Sequence, residues 1–147
     1  MHPRPSRTSA TVRETLLADH ARLEALIVDL LAAFDADDRE RVGALWNDLD
    51  RGLGTHLEAE ETFLIPALMR TRRRDATAIL AEHKHIRGRM LELGTGVDLH
   101  IVRADTAHAF VQELRAHARH EEKLYEWADA TLGAPEHASL VSAVAAE

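Results

Sequence analysis

The chain contains no cysteine. That excludes disulfide frameworks, thiolate zinc sites, thiol redox chemistry and Cys-ligated iron–sulfur clusters. Glycine and proline are scarce, at 7 and 4 of 147 residues, while Ala, Leu, Glu and Arg are abundant. Strand signals are lacking too, so helices are expected throughout. There is no Gly-rich phosphate loop and no Gly-x-Ser-x-Gly elbow. No apolar run approaches the roughly 20 residues that cross a bilayer. The opening residues 1–9 have no apolar signal core and read as part of a flexible lead-in over 1–10. A cytoplasmic protein that neither enters a membrane nor binds one is expected. Basic residues are in deficit, with a net charge of -7, which argues against a broad nucleic-acid surface. The small cluster Arg70, Arg72, Arg73 and Arg74 reads as a solvated helix end.

What is present suits one domain, residues 11–147, with a sizeable core. Apolar residues recur at steps of three and four in four long stretches. The first runs from about Thr11 to Phe34, after Thr8 or Ser9 as N-cap, with the stripe Leu16, His20, Leu23, Ile27, Leu30, Phe34. The second runs from Arg39 to Met69, with Leu45, Leu49, Gly52, His56, Glu60, Phe63 and Ala67 on one face. The third runs from Asp75 to Leu93 and is expected to stop at Gly94; its stripe is Ile79, His83, Ile86, Met90, Leu93. The fourth starts between Asp98 and Asp105 and ends near Leu132, with Phe110, Leu114, His117, Glu121, Leu124 and Ala128 aligned. A short fifth helix, Pro135 to Ala146, has proline in its first turn. Short connections favour antiparallel neighbours, so the expected fold is all-α: an up-down-up-down four-helix bundle with a short C-terminal fifth helix.

Two copies of one pattern stand out against this plain background. His56-Leu-Glu-Ala-Glu60-Glu61 and His117-Ala-Arg-His-Glu121-Glu122 both read His-x-x-x-Glu-Glu. Each follows a further histidine with a matching acidic flank, Asp19-His20 and Glu82-His83. His20 and His56 are 36 residues apart, and His83 and His117 are 34 apart. All four histidines, with Glu60 and Glu121, sit on apolar stripes and should point inward. Height agrees: from Asp37, His20 lies 17 residues back and His56 lies 19 forward, nearly level on an antiparallel pair.

Two carboxylates in one core layer must share a proton or meet a cation. One histidine on an apolar stripe is usually a hydrogen-bonded core residue. Four of them with two glutamates, repeated at matched spacing, point to a pair of metal ions. Imidazole and carboxylate without thiolate suit iron, manganese or zinc. Glu61 and Glu122 read as solvated or outer carboxylates that could also replace their neighbours. Tyr125, one turn after Glu121, could pack, hydrogen-bond to the site or supply an electron. His85 and His120 lie off the stripe, and His2, His100, His108 and His137 have no repeat partner. No catalytic residue is identifiable. Zincin His-Glu-x-x-His is absent, and the single Glu82-x-x-His85 falls short of the paired Glu-x-x-His of ferritin-like sites.

The set His20, His56 with Glu60, His83, and His117 with Glu121 resembles the hemerythrin-like, or HHE cation-binding, family over residues 11 to 132. That resemblance implies two iron ions with an oxo or hydroxo bridge inside a four-helix bundle. It assigns His20 and His56 to one iron, His83 and His117 to the other, and Glu60 and Glu121 to both. Oxygen-carrying members have a second histidine four residues from the one on the third helix. Here those positions are Ile79 and Arg87. They also place the last carboxylate five residues after its histidine, which is Glu122 here. The four-histidine form resembles the branch that handles peroxide, nitric oxide or iron, and it implies a small ligand (peroxide, nitric oxide or oxygen) with an oxidoreductase, catalase- or peroxidase-like reaction. The alternative is a non-enzymatic oxygen, nitric oxide or iron sensor, or an iron-binding module.

Overall fold

A computed structural model describes residues 11–145. The expected lead-in over 1–10 and the Thr8 or Ser9 cap lie outside the described residues. Helix α1, Val12–Asp35, begins instead at a capping box on Thr11. The Glu14 N–H donates to Thr11 Oγ1 at 3.0 Å, and the Thr11 N–H donates to the Glu14 carboxylate at 3.4 Å. It ends where Asp37 takes φ 53, a left-handed conformation that aspartate tolerates. Asp38 then caps α2, Arg39–Ala59, by accepting from the Arg41 N–H at 3.2 Å.

The helix from Arg39 does not continue as a regular α-helix to Met69. It passes through a π turn, Glu60–Leu64, before α3, Ile65–Thr71. The wider turn inserts about one residue into the face. Hence Leu64, and not the expected Phe63, is the buried residue that follows Glu60, and Phe63 is only half-buried.

Helix α4, Arg73–Asp98, also corrects an expectation, because it runs straight through Gly94 and stops at Leu99 and the left-handed His100, φ 55. The glycines there serve close packing. A Cβ on Gly94 would lie 3.1 Å from Trp46 Nε1, and one on Gly96 would lie 2.6 Å from Val102 Cγ2. Gly88 on the same helix is different, because a Cβ there would meet nothing within 4 Å. Gly88→Ala should therefore stabilise the fold by about 0.5–1 kcal/mol through helix propensity. Gly96→Ala should destabilise it by about 1–3 kcal/mol through overpacking. Urea melts of both variants check the opposite signs.

Helix α5, Ala104–Thr131, follows, and α6, Ala134–Ala145, closes the described chain. No strand occurs among the described residues, and none of their helices is long and apolar enough to cross a membrane. Helix α1 packs against α2, α5 and α6, and α4 against α2, α3 and α5. The Arg13 N–H donates to Asp129 and His108 meets Asp35, so α1 and α5 run in opposite senses.

The core has two apolar clusters. One contains Leu23, Ile27, Leu49, Leu53, Leu57, Ile86 and Leu114. The other contains Val12, Leu16, Leu64, Ile79, Leu124, Tyr125 and Leu140. The stripe residues flanking three of the histidines fall on either side of this division: Leu16 and Leu23 about His20, Ile79 and Ile86 about His83, Leu114 and Leu124 about His117. Between the clusters lies one polar layer.

Candidate metal centre

Asp19, His56, Glu60, His83, His117 and Glu121 are the buried polar residues, with His20 half-buried beside them. Each of α1, α2, α4 and α5 delivers one histidine. Glu60 and Glu121 come one turn after theirs, on the same face.

The imidazoles point the same way. His20 Nε2 is 3.1 Å from His56 Nε2. His83 Nε2 is 3.4 Å from Glu121 Oε2 and 3.7 Å from Glu60 Oε1. Glu121 Oε1 lies 2.6 Å from His117 Nε2 and 3.9 Å from His20 Nε2, while Glu60 Oε1 lies 3.0 Å from His56 Nε2. Glu121 thus approaches histidines of both pairs.

Four outer carboxylates hold the other ring nitrogen. Asp19 meets His56 Nδ1 at 2.6 Å, and Glu61 meets His83 Nδ1 at 3.1 Å. Glu82 meets His117 Nδ1 at 2.9 Å, and Glu122 meets His20 Nδ1 at 3.0 Å. The acidic residue on each helical stretch serves the histidine of the next one, α1 to α2, the π turn after α2 to α4, α4 to α5 and α5 back to α1. A carboxylate on Nδ1 fixes that proton there and leaves Nε2 as a lone-pair donor. Asp19 and Glu82 were missed as site residues by sequence reasoning. Their signal was the matched acidic flank before His20 and His83, but an adjacent residue on a helix gives no hint that it serves a neighbouring helix.

The donor set fits a cation. Two Nε2 lone pairs facing each other at 3.1 Å repel unless something positive lies between them. Two imidazoles bound side by side to one ion through bonds of roughly 2.1 Å would be about this far apart. Glu60 Oε1, His117 Nε2 and Glu121 Oε1 are buried and make no well-aligned hydrogen bond, only the close contacts to His56 and to one another given above. Such orphaned atoms are costly unless a ligand takes them. Two groups could each hold an ion: His20, His56 and Glu121, and His83, His117 and Glu121.

The electrostatics agree. Burial, then the Glu121 charge, pushes the Glu60 carboxyl up to about 7. Burial alone would raise Glu121 too, but the close approach of Glu60, His117 and His83 holds it well below the usual range. Burial pulls His117 down, yet its close contact with Glu121 and that residue's charge carry it up to about 9. His56 is raised likewise, with Glu60 and Asp19 outweighing burial. The layer draws in positive charge, from protons where no other cation is supplied.

Tyr125 is fully buried, its hydroxyl 2.9 Å from His20 Nε2 and donating to Glu60 Oε2 at 3.2 Å. Burial, then Glu60 and Glu121, pushes its phenol well above 10. The repeat-related position after Glu60 is Leu64, so the two halves are unequal here. The remaining histidines stay outside the layer. His85 is exposed and pairs with Glu113 at 2.9 Å; His120 meets Glu82 at 2.6 Å. His108 is at the surface, His100 ends α4, and His2 lies outside the described residues. His137 lies 3.5 Å from Asp129. In the basic cluster, Arg70, Arg72, Arg73 and Arg74 are all exposed, and Arg72 pairs with Asp75 at 2.7 Å.

The family model of the hemerythrin HHE cation binding domain matches residues 11–128. No curated protein and no solved structure matches the chain.

Proposed function

The chain belongs to the hemerythrin HHE cation-binding family, and from that premise we propose that it is a non-haem di-iron protein reacting with peroxide, nitric oxide or oxygen. One observation carries the reading: four imidazole Nε2 atoms and two buried glutamates converge while a separate carboxylate anchors each Nδ1. His20 and His56 would hold one ion, His83 and His117 the other, with Glu60 and Glu121 shared. Glu61 and Glu122 act as anchors of His83 and His20 and leave the inner carboxylates to the metal. The proposal includes an up-down-up-down course for the four long stretches and one domain over 11–147, in keeping with the short connections.

Iron bound there supplies a ligand-binding Lewis acid that changes oxidation state. The protein's own groups set the conditions. Asp19, Glu61, Glu82 and Glu122 orient the imidazoles and raise their basicity. Tyr125 offers a hydroxyl proton on the His20 side, beside Glu60. The two apolar clusters keep bulk water from both ends of the layer.

Lack of the extra histidine at Ile79 and Arg87 leaves the two histidine pairs alike in number, which supports ligand chemistry over oxygen carriage. The test is elemental analysis with the visible spectrum of aerobically purified protein, followed by addition of peroxide or nitric oxide. Two irons per chain, a charge-transfer band and oxygen evolution from peroxide above the free-iron background are expected. Protein that binds no iron refutes the di-iron reading.

A second reading, a sensor without turnover, draws on the π turn at Glu60–Leu64. That wider turn, a rare form frequent at functional sites, begins at Glu60, a place where metal or ligand could shift the backbone. A spectrum that responds to nitric oxide or oxygen with no peroxide turnover favours it.

A further inference from the structure

Seams between neighbouring helices lead from the surface to the buried layer, and arginine borders three of them. Arg22 donates to Asp19 at 3.0 and 2.8 Å beside the α1/α2 seam. Arg87 of α4 donates to Glu61 of the π turn at 2.8 Å, and Arg115 of α5 to Glu24 of α1 at 2.6 Å. An incoming cation meets a permanent positive charge at each. The α4/α5 seam is different. A groove of about 540 Å³ opens there, and no lysine or arginine lines it. Its polar lining forms two rungs. On the outer rung His85 Nε2 meets Glu113 Oε2 at 2.9 Å, and both residues are exposed. On the inner rung His120 Nδ1 meets Glu82 Oε2 at 2.6 Å, and both are half-buried. Glu82 Oε1 then reaches Nδ1 of His117, a buried wall of the same groove, at 2.9 Å.

We propose that the α4/α5 groove is an outer site for a divalent metal cation, which is captured there before it passes to the buried layer. The idea rests on the metal-centre reading for the ion's destination alone. Donor chemistry supports it, because imidazole paired with carboxylate, without thiolate, suits first-row divalent ions. Charge supports it, because two carboxylates face the groove and no cationic side chain opposes them. Room supports it as well. An ion with six waters takes roughly 180 Å³ at liquid density, so it can enter with its hydration intact. Each rung offers two donors, and water completes the ion's shell. Groups of three donors within one ion's reach occur, among the described residues, in the layer. The groove therefore holds an ion more weakly than the layer does, as a place of transit requires. Its rungs also lead inward, from exposed His85 through half-buried His120 to His117, which is 7% exposed.

Two readouts test the proposal. Crystals of the full chain soaked in a manganous salt should show an anomalous peak at one of the two rungs, whatever the layer holds. Rapid mixing of cobaltous ion with chelated protein, followed by the ion's visible absorption, gives the rate of loading. His85→Ala/Glu113→Gln should slow loading about tenfold, with the final number of ions per chain unchanged. His108→Ala removes an exposed histidine that meets Asp35 at 3.0 Å away from the groove, and it should load at the wild-type rate. No peak in the groove, or equal loading rates in all three proteins, overturns the proposal. The two readings fail separately. A groove peak in protein whose layer takes no metal refutes the metal centre and keeps the outer site. A filled layer with no groove peak and unaltered rates does the reverse.

Discussion

Glu121→Ala protein is expected to retain almost no metal, while Glu60→Ala retains part of it. Glu121 belongs to both groups that could hold an ion, with His20 and His56 on one side and His83 and His117 on the other. Its Oε1 reaches His117 and its Oε2 reaches His83. Glu60 is less committed, because its Oε2 already accepts from Tyr125 and only Oε1 faces the histidines. Elemental analysis per folded chain, with helicity checked by circular dichroism, separates the two. A milder result is expected for Asp19→Asn. Its side chain can still meet His56 but no longer stabilises the Nδ1 proton with a charge, so affinity should fall about 10- to 100-fold with stoichiometry kept at saturation. Wild-type metal content in Glu121→Ala would sink the shared-carboxylate assignment.

The second large effect is on stability and its dependence on pH. A ligand that binds only the folded state at a thousand times its dissociation constant adds about 4 kcal/mol. For a chain of this size that is a Tm rise of roughly 10 °C. Chelation should remove it. The chelated protein should also respond to pH with a definite sign. His117, raised to about 9, contributes stability that is complete below its ordinary value near 6.5 and lost as pH rises through about 9. Glu60, raised to about 7, contributes stability complete below its ordinary 4.5 and lost as pH rises through about 7. Both act in one direction, so the chelated protein should lose Tm between about pH 5 and pH 9. Glu121 and Asp19, held below their ordinary values, set the acid limit, because their contribution disappears as pH falls through their lowered values. Metal loading should reverse the alkaline trend, since binding displaces protons and tightens as they leave. Thermal melts of loaded and chelated protein across this range decide the matter. Parallel curves would show that the buried layer does not exchange protons for metal.

Helical periodicity explains why so much was legible. Leu16, His20 and Leu23, or Ile79, His83 and Ile86, announce an inward face from spacing alone, and the structure buries or half-buries each of them. The errors came from signals with two physical meanings. Gly94 reads as a helix stop, but its missing side chain makes room for Trp46. Phe63 fits a 3.6-residue step, but one wider turn hands its place to Leu64. Neither cause is local: the indole arrives from α2, and the π turn carries two adjacent glutamates that serve different partners.

By itself, the sequence determined the helices, the inward faces and the convergence of four histidines with two glutamates, because each follows from spacing within a helix. Tertiary structure alone decided which carboxylate anchors which imidazole, and that Glu121 reaches both histidine pairs. Those are relations between helices, set by their rotation and height against one another. Asp19 sits on the same turn as His20, yet it belongs to His56.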